Sequence, residues 1–348
     1  MILSEKVVEQ SVDRSDRGRF VKQLVLVDGT VPLAMVRKRS YGLGGQLGGH
    51  RAPVLLVHGY GQNRYAWHLP LRSVSNFLAR EGYDVFNLDL RGHGRSAHLG
   101  ASAPSSIIDY AQEDVPAAVA QIQKISGGRP VFLVGHSLGG LVCYAAAPAL
   151  GAQVAGVAAI GSPYHFLQGL RGLARLGAMI DFLIERLESK RQDWALDHRI
   201  VGELVRNFRM FIDSPLYPLP FRGYDPTNIE PDVLSQHMAL AMDAGSIRVL
   251  RQMYHEARGR GGRSDVPGGI GVSGEAFEAM TDTPLLVIAG SHDDLAAPAG
   301  VRTAYERSHA ADKTYRCVPA GHLDLLVGRE APRTTWAILA AWLGRRSR

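Results

Sequence analysis

The stretch LVGHSLGG, residues 133–140, places a serine between two glycines where a strand-like pattern changes to a helix-like one. Upstream, RPVFLV is a short apolar run typical of a buried parallel strand. Downstream, LGGLVCYAAAPAL has the alanine and leucine content of a helix. A sharp strand-to-helix turn needs small residues beside its apex, and it would project the Ser137 hydroxyl above the sheet near a helix N-terminus. Such strings also arise by chance in a chain with 39 glycines, so the rest of the sequence must decide whether Ser137 is a nucleophile.

The composition is that of an ordinary globular protein. The chain has 348 residues, of which 46% are hydrophobic and 21% charged, and this length is sufficient for a large core. The net charge of +6 comes from short basic clusters without interleaved aromatic residues, which disfavours a nucleic-acid site. The two cysteines, Cys143 and Cys317, show neither a disulfide framework nor the spacing of a zinc motif.

No segment has the pattern of a targeting or membrane-spanning sequence. The N-terminal stretch MILSEKVVEQSVDRSDRGRF lacks the apolar run of a signal peptide. No other stretch reaches the roughly 18 continuous apolar residues of a membrane span. We therefore expect a cytoplasmic protein whose contact with membranes is at most peripheral, and the sequence does not specify its oligomeric state.

Strand and helix patterns alternate along most of the chain. Two extended runs about Asp28 and Gly29 predict a hairpin. From residue 53 onwards, buried strands alternate with amphipathic helices, which predicts an α/β fold with a mostly parallel sheet covered by helices on both faces. The alternation stops near residue 163 and resumes near residue 282.

The chain therefore divides into three predicted parts. Between the two alternating regions there is no convincing core strand, and residues 170–189 and 233–257 have leucine, isoleucine and methionine at helical spacing. The predicted parts are a loose polar arm over residues 1–18, an α/β core over residues 19–163 and 282–348, and a helical insertion over residues 164–281. This insertion follows the sixth predicted strand.

A nucleophilic serine requires a base and an acid, because a serine hydroxyl reacts poorly at neutral pH. In parallel sheets, ligands bind outside the carboxyl ends of the strands. The partners should therefore follow strands, in the chain order serine, acid, histidine. His322 follows the run TYRCVPAG, and Asp293 and Asp294 follow the run PLLVIAGS. Only one of these adjacent aspartates can face the histidine, and we favour Asp293 over Asp294.

Two other interpretations of the acidic residues are weaker. Asp324 is a further candidate for the acid, but it stands only two residues from His322. The run His292, Asp293, Asp294 resembles a metal-ligand cluster, but no second set of histidines or carboxylates accompanies it. We therefore expect neither a metal nor another cofactor.

The donors for an oxyanion should be backbone N–H groups. One belongs to Leu138, which follows the nucleophile, and the other to Tyr60, in the loop after the strand PVLLVHG. The candidate residues of the substrate pocket are His58, Gly59, Gln62, Trp67 and His136. For Gln62 and Trp67, the alternative to substrate contact is a hydrated loop and a packing tryptophan.

The motifs stand in the order found in one known family. VLLVHGYGQNRYAW, DLRGHGRS, GHSLGG, GSHDDLAAP and GHLDLLVG together resemble the α/β-hydrolase fold superfamily over residues 53–162 and 284–343. The resemblance implies that the insertion is a cap over the active site. HGYGQNRYAWHLP is similar to the corresponding region of lipases, and GHLDLLVGREAP is similar to regions of lipases and polyhydroxyalkanoate synthases. Those synthases use cysteine at the position of Ser137, and haloalkane dehalogenases and many epoxide hydrolases use aspartate, so serine hydrolysis is favoured.

The sequence therefore predicts a serine hydrolase of the esterase or lipase type. It would cleave carboxylic esters of apolar acyl groups, with a small molecule or a lipid as substrate, through an acyl-enzyme on Ser137. An acyltransferase or a thioesterase would use the same three residues. A non-catalytic binding protein on a hydrolase scaffold is disfavoured, because both Ser137 and His322 are present.

Overall fold

The computed structural model describes residues 1–164, 195–214, 216–219, 222–257 and 271–347. A nine-stranded sheet with the strand order β1-β2-β3-β5-β4-β6-β7-β10-β11 forms its centre, and β8 and β9 form a separate two-stranded sheet. The strands are β1 Ile2–Asp13, β2 Asp16–Leu26, β3 Ala34–Ser40, β4 Pro53–Val57, β5 Asp84–Asp89, β6 Val131–His136, β7 Val154–Ile160, β8 Ala195–Asp197, β9 Ala244–Ser246, β10 Leu285–Gly290 and β11 Lys313–Val318.

The sheet is parallel through its centre and antiparallel at one end. The six strands from β5 to β11 in the sheet order pair in parallel. The strands β1, β2 and β3 extend it by antiparallel pairing onto β5. Every residue of β4, β6 and β10 is buried. This burial explains the continuous apolar runs, because helices cover both faces of a parallel sheet. The predicted fold class is confirmed.

Helices connect the strands and supply most of the remaining core. Ser73 caps the first of them, since its side chain accepts a hydrogen bond from the Asn76 backbone N–H. The helices are α1 Val74–Arg80, α2 Gly94–His98, α3 Ile107–Asp109, α4 Val115–Ser126, α5 Leu138–Leu150, α6 His198–Ile212, α7 Pro231–Leu240, α8 Ile247–Ala257, α9 Gly271–Glu278, α10 Pro298–Arg307, α11 Asp324–Val327 and α12 Thr335–Gly344. In the described ranges, no helix is both long and apolar enough to cross a bilayer.

The N-terminal residues form a strand, and the expectation of a loose arm over residues 1–18 is wrong. β1 pairs along its length with β2, and the hairpin lies at the edge of the large sheet. The first six residues of β1 are exposed, the apolar Ile2, Leu3 and Val7 among them, and backbone pairing with β2 holds them in place. The hairpin predicted about Asp28 and Gly29 is confirmed, because β2 and β3 pair antiparallel on either side of it. With this additional strand, the insertion follows the seventh strand of the chain.

The inserted segment, residues 164–281, contains helices α6 to α9 and the short strands β8 and β9. The helix expected over residues 233–257 is two helices, α7 and α8. The short strand β9 separates them, and it pairs with β8. This pairing across the inserted segment interrupts a continuous helical pattern. The helix expected over residues 170–189 lies outside the described residues.

Candidate active site

The turn between β6 and α5 holds Ser137 in an unusual backbone conformation. Ser137 has φ 53° and ψ −124°, and it is the one non-glycine residue with positive φ in the described part of the chain. Such a conformation costs about 1–3 kcal/mol and persists only where the surrounding structure enforces it. The Ser137 backbone N–H donates to the Ile160 carbonyl at the end of β7, 3.0 Å away. The turn therefore lies at the carboxyl edge of the sheet.

The glycines around Ser137 are required by close packing. A Cβ on Gly139 would overlap the Val57 carbonyl oxygen and lie 2.6 Å from the His58 carbonyl oxygen. A Cβ on Gly135 would overlap the Gly139 backbone. The first turn of α5 thus rests directly on the end of β4, which brings the residues after β4 close to the serine.

We expect Gly139→Ala to lower the free energy of unfolding by about 1–3 kcal/mol, the usual cost of overpacking a rigid core. The backbone atoms that meet the new methyl group cannot move without shifting β4. Urea denaturation measures the effect. Gly29→Ala is the matched control, because its Cβ would meet Ala117 at an ordinary 3.7 Å. Equal stability of the two variants would contradict this account of the turn.

His322 and Asp293 form a hydrogen-bonded pair at the same edge. His322 Nδ1 lies 2.7 Å from Asp293 Oδ2, and both side chains are buried. Asp293 Oδ1 accepts the backbone N–H groups of Leu295 and Ala296 at 2.9 and 2.7 Å, which orients the carboxylate. Because a carboxylate only accepts, the imidazole proton lies on Nδ1 and leaves Nε2 as an acceptor.

The charges around His322 determine the direction in which its pKa shifts. Burial by itself lowers the pKa of His322, but the charge of Asp293 and its hydrogen bond outweigh it and raise the pKa above the usual histidine value. The geometry and the charge thus give His322 the properties of a general base that an adjacent carboxylate stabilises when protonated.

Two contacts connect this pair to the serine turn. His136, which precedes Ser137, donates from Nε2 to the His322 carbonyl at 3.1 Å, and the two rings lie 4.6 Å apart. Gly161, which follows β7, lies against the pair, since a Cβ there would be 3.3 Å from Asp293 Oδ2 and 3.4 Å from His322 Nδ1. The three candidate residues thus follow the ends of β6, β10 and β11, at one edge of the sheet.

The other two acidic candidates bind backbone groups of the inserted segment. Asp294 accepts the N–H groups of Arg222 and Gly223 at 2.5 and 2.9 Å, and burial raises its pKa. Asp324 accepts the N–H of Asp225 at 2.9 Å, and burial raises its pKa to about 7. Both carboxylates therefore attach the inserted segment to the core, whereas Asp293 contacts His322.

The 59–62 turn, which follows β4, lies beside Ser137. A Cβ on Gly59 would be 3.1 Å from Ser137 Cβ. Among the residues that the structure describes, the backbone N–H groups of Tyr60 and Leu138 have no hydrogen-bond acceptor. The Leu138 N–H is also the first of helix α5, where the helix dipole favours negative charge. The two predicted donors are therefore available to an oxyanion.

The candidate pocket residues occupy different environments. His58 is fully buried, donates from Nδ1 to the Gly59 carbonyl and accepts the Leu90 N–H. Trp67 is fully buried and its ring meets His136 edge-on, which favours its interpretation as a packing residue. Gln62 is buried between the Gly59 N–H and the side chain of His237.

The sequence analysis did not identify the residues of the inserted segment that contact the 59–62 turn. Among them are His237 on α7, the residues that link α7 to β9, and Ser246 of β9, whose carbonyl accepts the Tyr60 hydroxyl. No local signal distinguishes them, since they lie about 180 positions along the chain from Gln62 and Asn63. Within the described ranges, no three His, Cys, Asp or Glu side chains are grouped so as to hold a metal ion.

A parallel sheet with a strained serine at a strand-to-helix turn, and with a histidine–aspartate pair at the same edge, defines the α/β-hydrolase class. The sequence model of the alpha/beta hydrolase fold family matches residues 52–329. The chain belongs to this family, and the resemblance inferred from its motifs is confirmed.

Known proteins are similar to the chain in sequence and, separately, in structure. (E)-2-((N-methylformamido)methylene)succinate hydrolase of Acinetobacter baylyi is 35% identical over 94 residues, which are 27% of this chain and 31% of the relative. A probable alcohol acetyltransferase of Saccharomyces cerevisiae is 35% identical over 124 residues, 34% of this chain and 33% of the relative. The chain thus spans about a third of the length of these relatives.

Similarity to solved structures extends over nearly the whole chain. The crystal structure of Paleococcus ferrophilus monoacylglycerol lipase superposes with a TM-score of 0.56 and 20% sequence identity, covering 90% of this chain and 99% of that one. At 20% sequence identity, this similarity shows a shared fold.

Proposed function

We propose that the protein is a serine hydrolase that cleaves carboxylic esters of apolar acyl groups through an acyl-enzyme. The observation that carries the proposal is the strained Ser137 at the sheet edge where His322 pairs with Asp293. A strained residue beside an oriented acid–base pair is the arrangement that nucleophilic catalysis by serine requires.

In the proposed reaction, Ser137 Oγ attacks the ester carbonyl and His322 Nε2 takes the hydroxyl proton. The oxyanion is stabilised by the N–H groups of Tyr60 and Leu138, each of which contributes about 100–1,000-fold in rate. The tetrahedral intermediate collapses, His322 returns the proton to the leaving alcohol, and the acyl group remains on Ser137. Water, deprotonated by His322, then releases the acid and restores the serine.

The contacts of the inserted segment support a covered site. Its residues 222–225 bind the loops that carry Asp294 and Asp324, and its residues 240–243 bind the loop after β4. These contacts at the edge of the sheet that carries the candidate residues support a role of the segment as a cap. Met238 and Val233 of α7 are buried in the same core cluster as Trp67, so they pack the segment onto the core. A structurally similar protein is named a monoacylglycerol lipase, which fits an ester of an apolar acyl group as substrate.

The test is a series of p-nitrophenyl esters of increasing acyl length, combined with a serine-directed phosphonate. We expect hydrolysis of esters with apolar acyl groups and a single phosphonate label on Ser137. A label on another residue, or no label on the folded protein, would contradict the proposal.

Acyl transfer to an alcohol is the second candidate function, and the similarity to a probable alcohol acetyltransferase favours it. It uses the same acyl-enzyme and differs in which acceptor reaches it. Adding an alcohol to the ester assay and measuring the ratio of new ester to free acid distinguishes the two. A product that is mainly ester in dilute alcohol would favour the transferase.

A further inference from the structure

The side chain of His237, in the inserted segment, reaches the turn beside the candidate nucleophile. We propose that His237 is a positioning residue for this turn: it holds Gln62, and Gln62 holds the backbone N–H of Gly59 next to the oxyanion donor Tyr60. The inference rests on the proposed function, since it assigns Tyr60 as a donor to an oxyanion. It goes beyond that function because it assigns to the inserted segment the positioning of an oxyanion donor.

The hydrogen bonds determine how the Gln62 amide is oriented. The Gly59 backbone N–H can only donate, and it lies 3.3 Å from Gln62 Oε1. The Gln62 NH₂ group therefore faces the other way, where His237 Nε2 lies 3.2 Å from it. Because an amide NH₂ only donates, His237 Nε2 must accept, and the imidazole must be neutral with its proton on Nδ1.

The surroundings of His237 keep it in this neutral form. The side chain is buried, and burial together with the nearby His322 lowers its pKa to about 4. A charged His237 would have donors on both nitrogens and could no longer accept from Gln62. At neutral pH the histidine thus supplies the acceptor that the amide orientation requires.

Contacts from the following loop hold the far end of the same turn. The Asp243 backbone N–H donates to the Gly61 carbonyl at 2.7 Å, and the Asn63 N–H donates to the Ala241 carbonyl at 2.9 Å. Asp243 Oδ2 also accepts the Gly94 N–H at 2.7 Å, which ties this loop to the core. Gly61 has φ 63°, so the turn is tight, and its two ends are held by one continuous part of the inserted segment.

The consequence concerns the N–H of Tyr60, which lies between the two held positions. An oxyanion donor is effective only if it is oriented before the reaction begins. Loss of the hydrogen bonds to Gln62 would allow the Gly59–Tyr60 peptide to rotate. The Tyr60 N–H would then point away from the oxyanion for part of the time. The substrate would still bind, and the chemical step would slow.

The experiment compares His237→Ala with His237→Gln, whose amide oxygen restores an acceptor, and with Met238→Ala. Met238 is the adjacent buried residue on the same helix and is the control for a general loosening of α7. We expect His237→Ala to lower kcat about tenfold with KM changed less than about twofold, because one hydrogen bond is lost and the donor is loosened rather than removed. His237→Gln should recover most of the activity, and Met238→Ala should lower Tm without this fall in kcat.

Amide hydrogen exchange of the peptide spanning residues 57–65 provides a readout that does not depend on the substrate. His237→Ala should accelerate exchange there relative to Met238→Ala. Equal exchange and equal kcat in these two variants would overturn the inference. If the wild-type protein hydrolyses no ester, the proposed function fails, and the exchange comparison still decides whether His237 holds the turn.

Discussion

Ser137→Ala is expected to lower kcat for ester hydrolysis by about 10⁴-fold or more, because the hydroxyl forms the covalent bond to the acyl group. The fold should be retained. The alanine keeps the Cβ that packs beside Gly59, and the backbone hydrogen bond from residue 137 to the Ile160 carbonyl does not involve the side chain. Initial rates on the best p-nitrophenyl ester, together with the melting temperature, measure both effects.

A neighbouring serine provides the matched control for this variant. Ser162 is fully buried just after the adjacent strand β7, and its hydroxyl donates to the Ile160 carbonyl at 3.2 Å. Ser162→Ala should retain kcat and phosphonate labelling, whereas Ser137→Ala should lose both. Substantial hydrolysis by Ser137→Ala would remove the nucleophile from the mechanism.

Asp293→Asn is expected to lower kcat by about 10⁴-fold, because an amide at this position reverses the tautomer of the histidine. The Asn NH₂ would donate to His322 Nδ1, so the imidazole proton would move to Nε2, which could no longer accept the serine proton. Loss of the carboxylate charge also removes the main influence that raises the pKa of His322. The acid limb of kcat/KM for the residual activity should therefore move to lower pH.

Asp294→Asn is the comparison that tests the choice between the adjacent acids. Its carboxylate accepts two backbone N–H groups, from Arg222 and Gly223, and an amide oxygen can retain one of them. We expect a loss of about 1–3 kcal/mol in the free energy of unfolding and a much smaller change in kcat than for Asp293→Asn. A larger loss of kcat in Asp294→Asn would overturn the assignment of Asp293.

Local patterns were sufficient to predict the sheet and the serine turn. Continuous apolar runs identified β4, β6 and β10, because a strand buried on both faces needs apolar side chains throughout. The glycines beside Ser137 marked the turn, because the helix after it packs against the neighbouring strand at backbone distance. Such properties are readable in the sequence, since the residue types that they require stand together in a short stretch.

β1 could not be recognised in this way. Its outer half is exposed, so backbone pairing with β2 stabilises this half of the strand. No buried face there requires alternating apolar side chains.

The partners of individual polar side chains depended on the folded chain. Asp293 and Asp294 are adjacent and chemically identical, yet one faces His322 and the other faces the backbone of residues 222 and 223. Likewise, nothing near Gln62 in the sequence points to His237, which the inserted segment brings within 3.2 Å. A hydrogen bond forms only when donor and acceptor meet at the right distance and direction. For residues far apart in the chain, the packing of the inserted segment on the sheet sets that geometry.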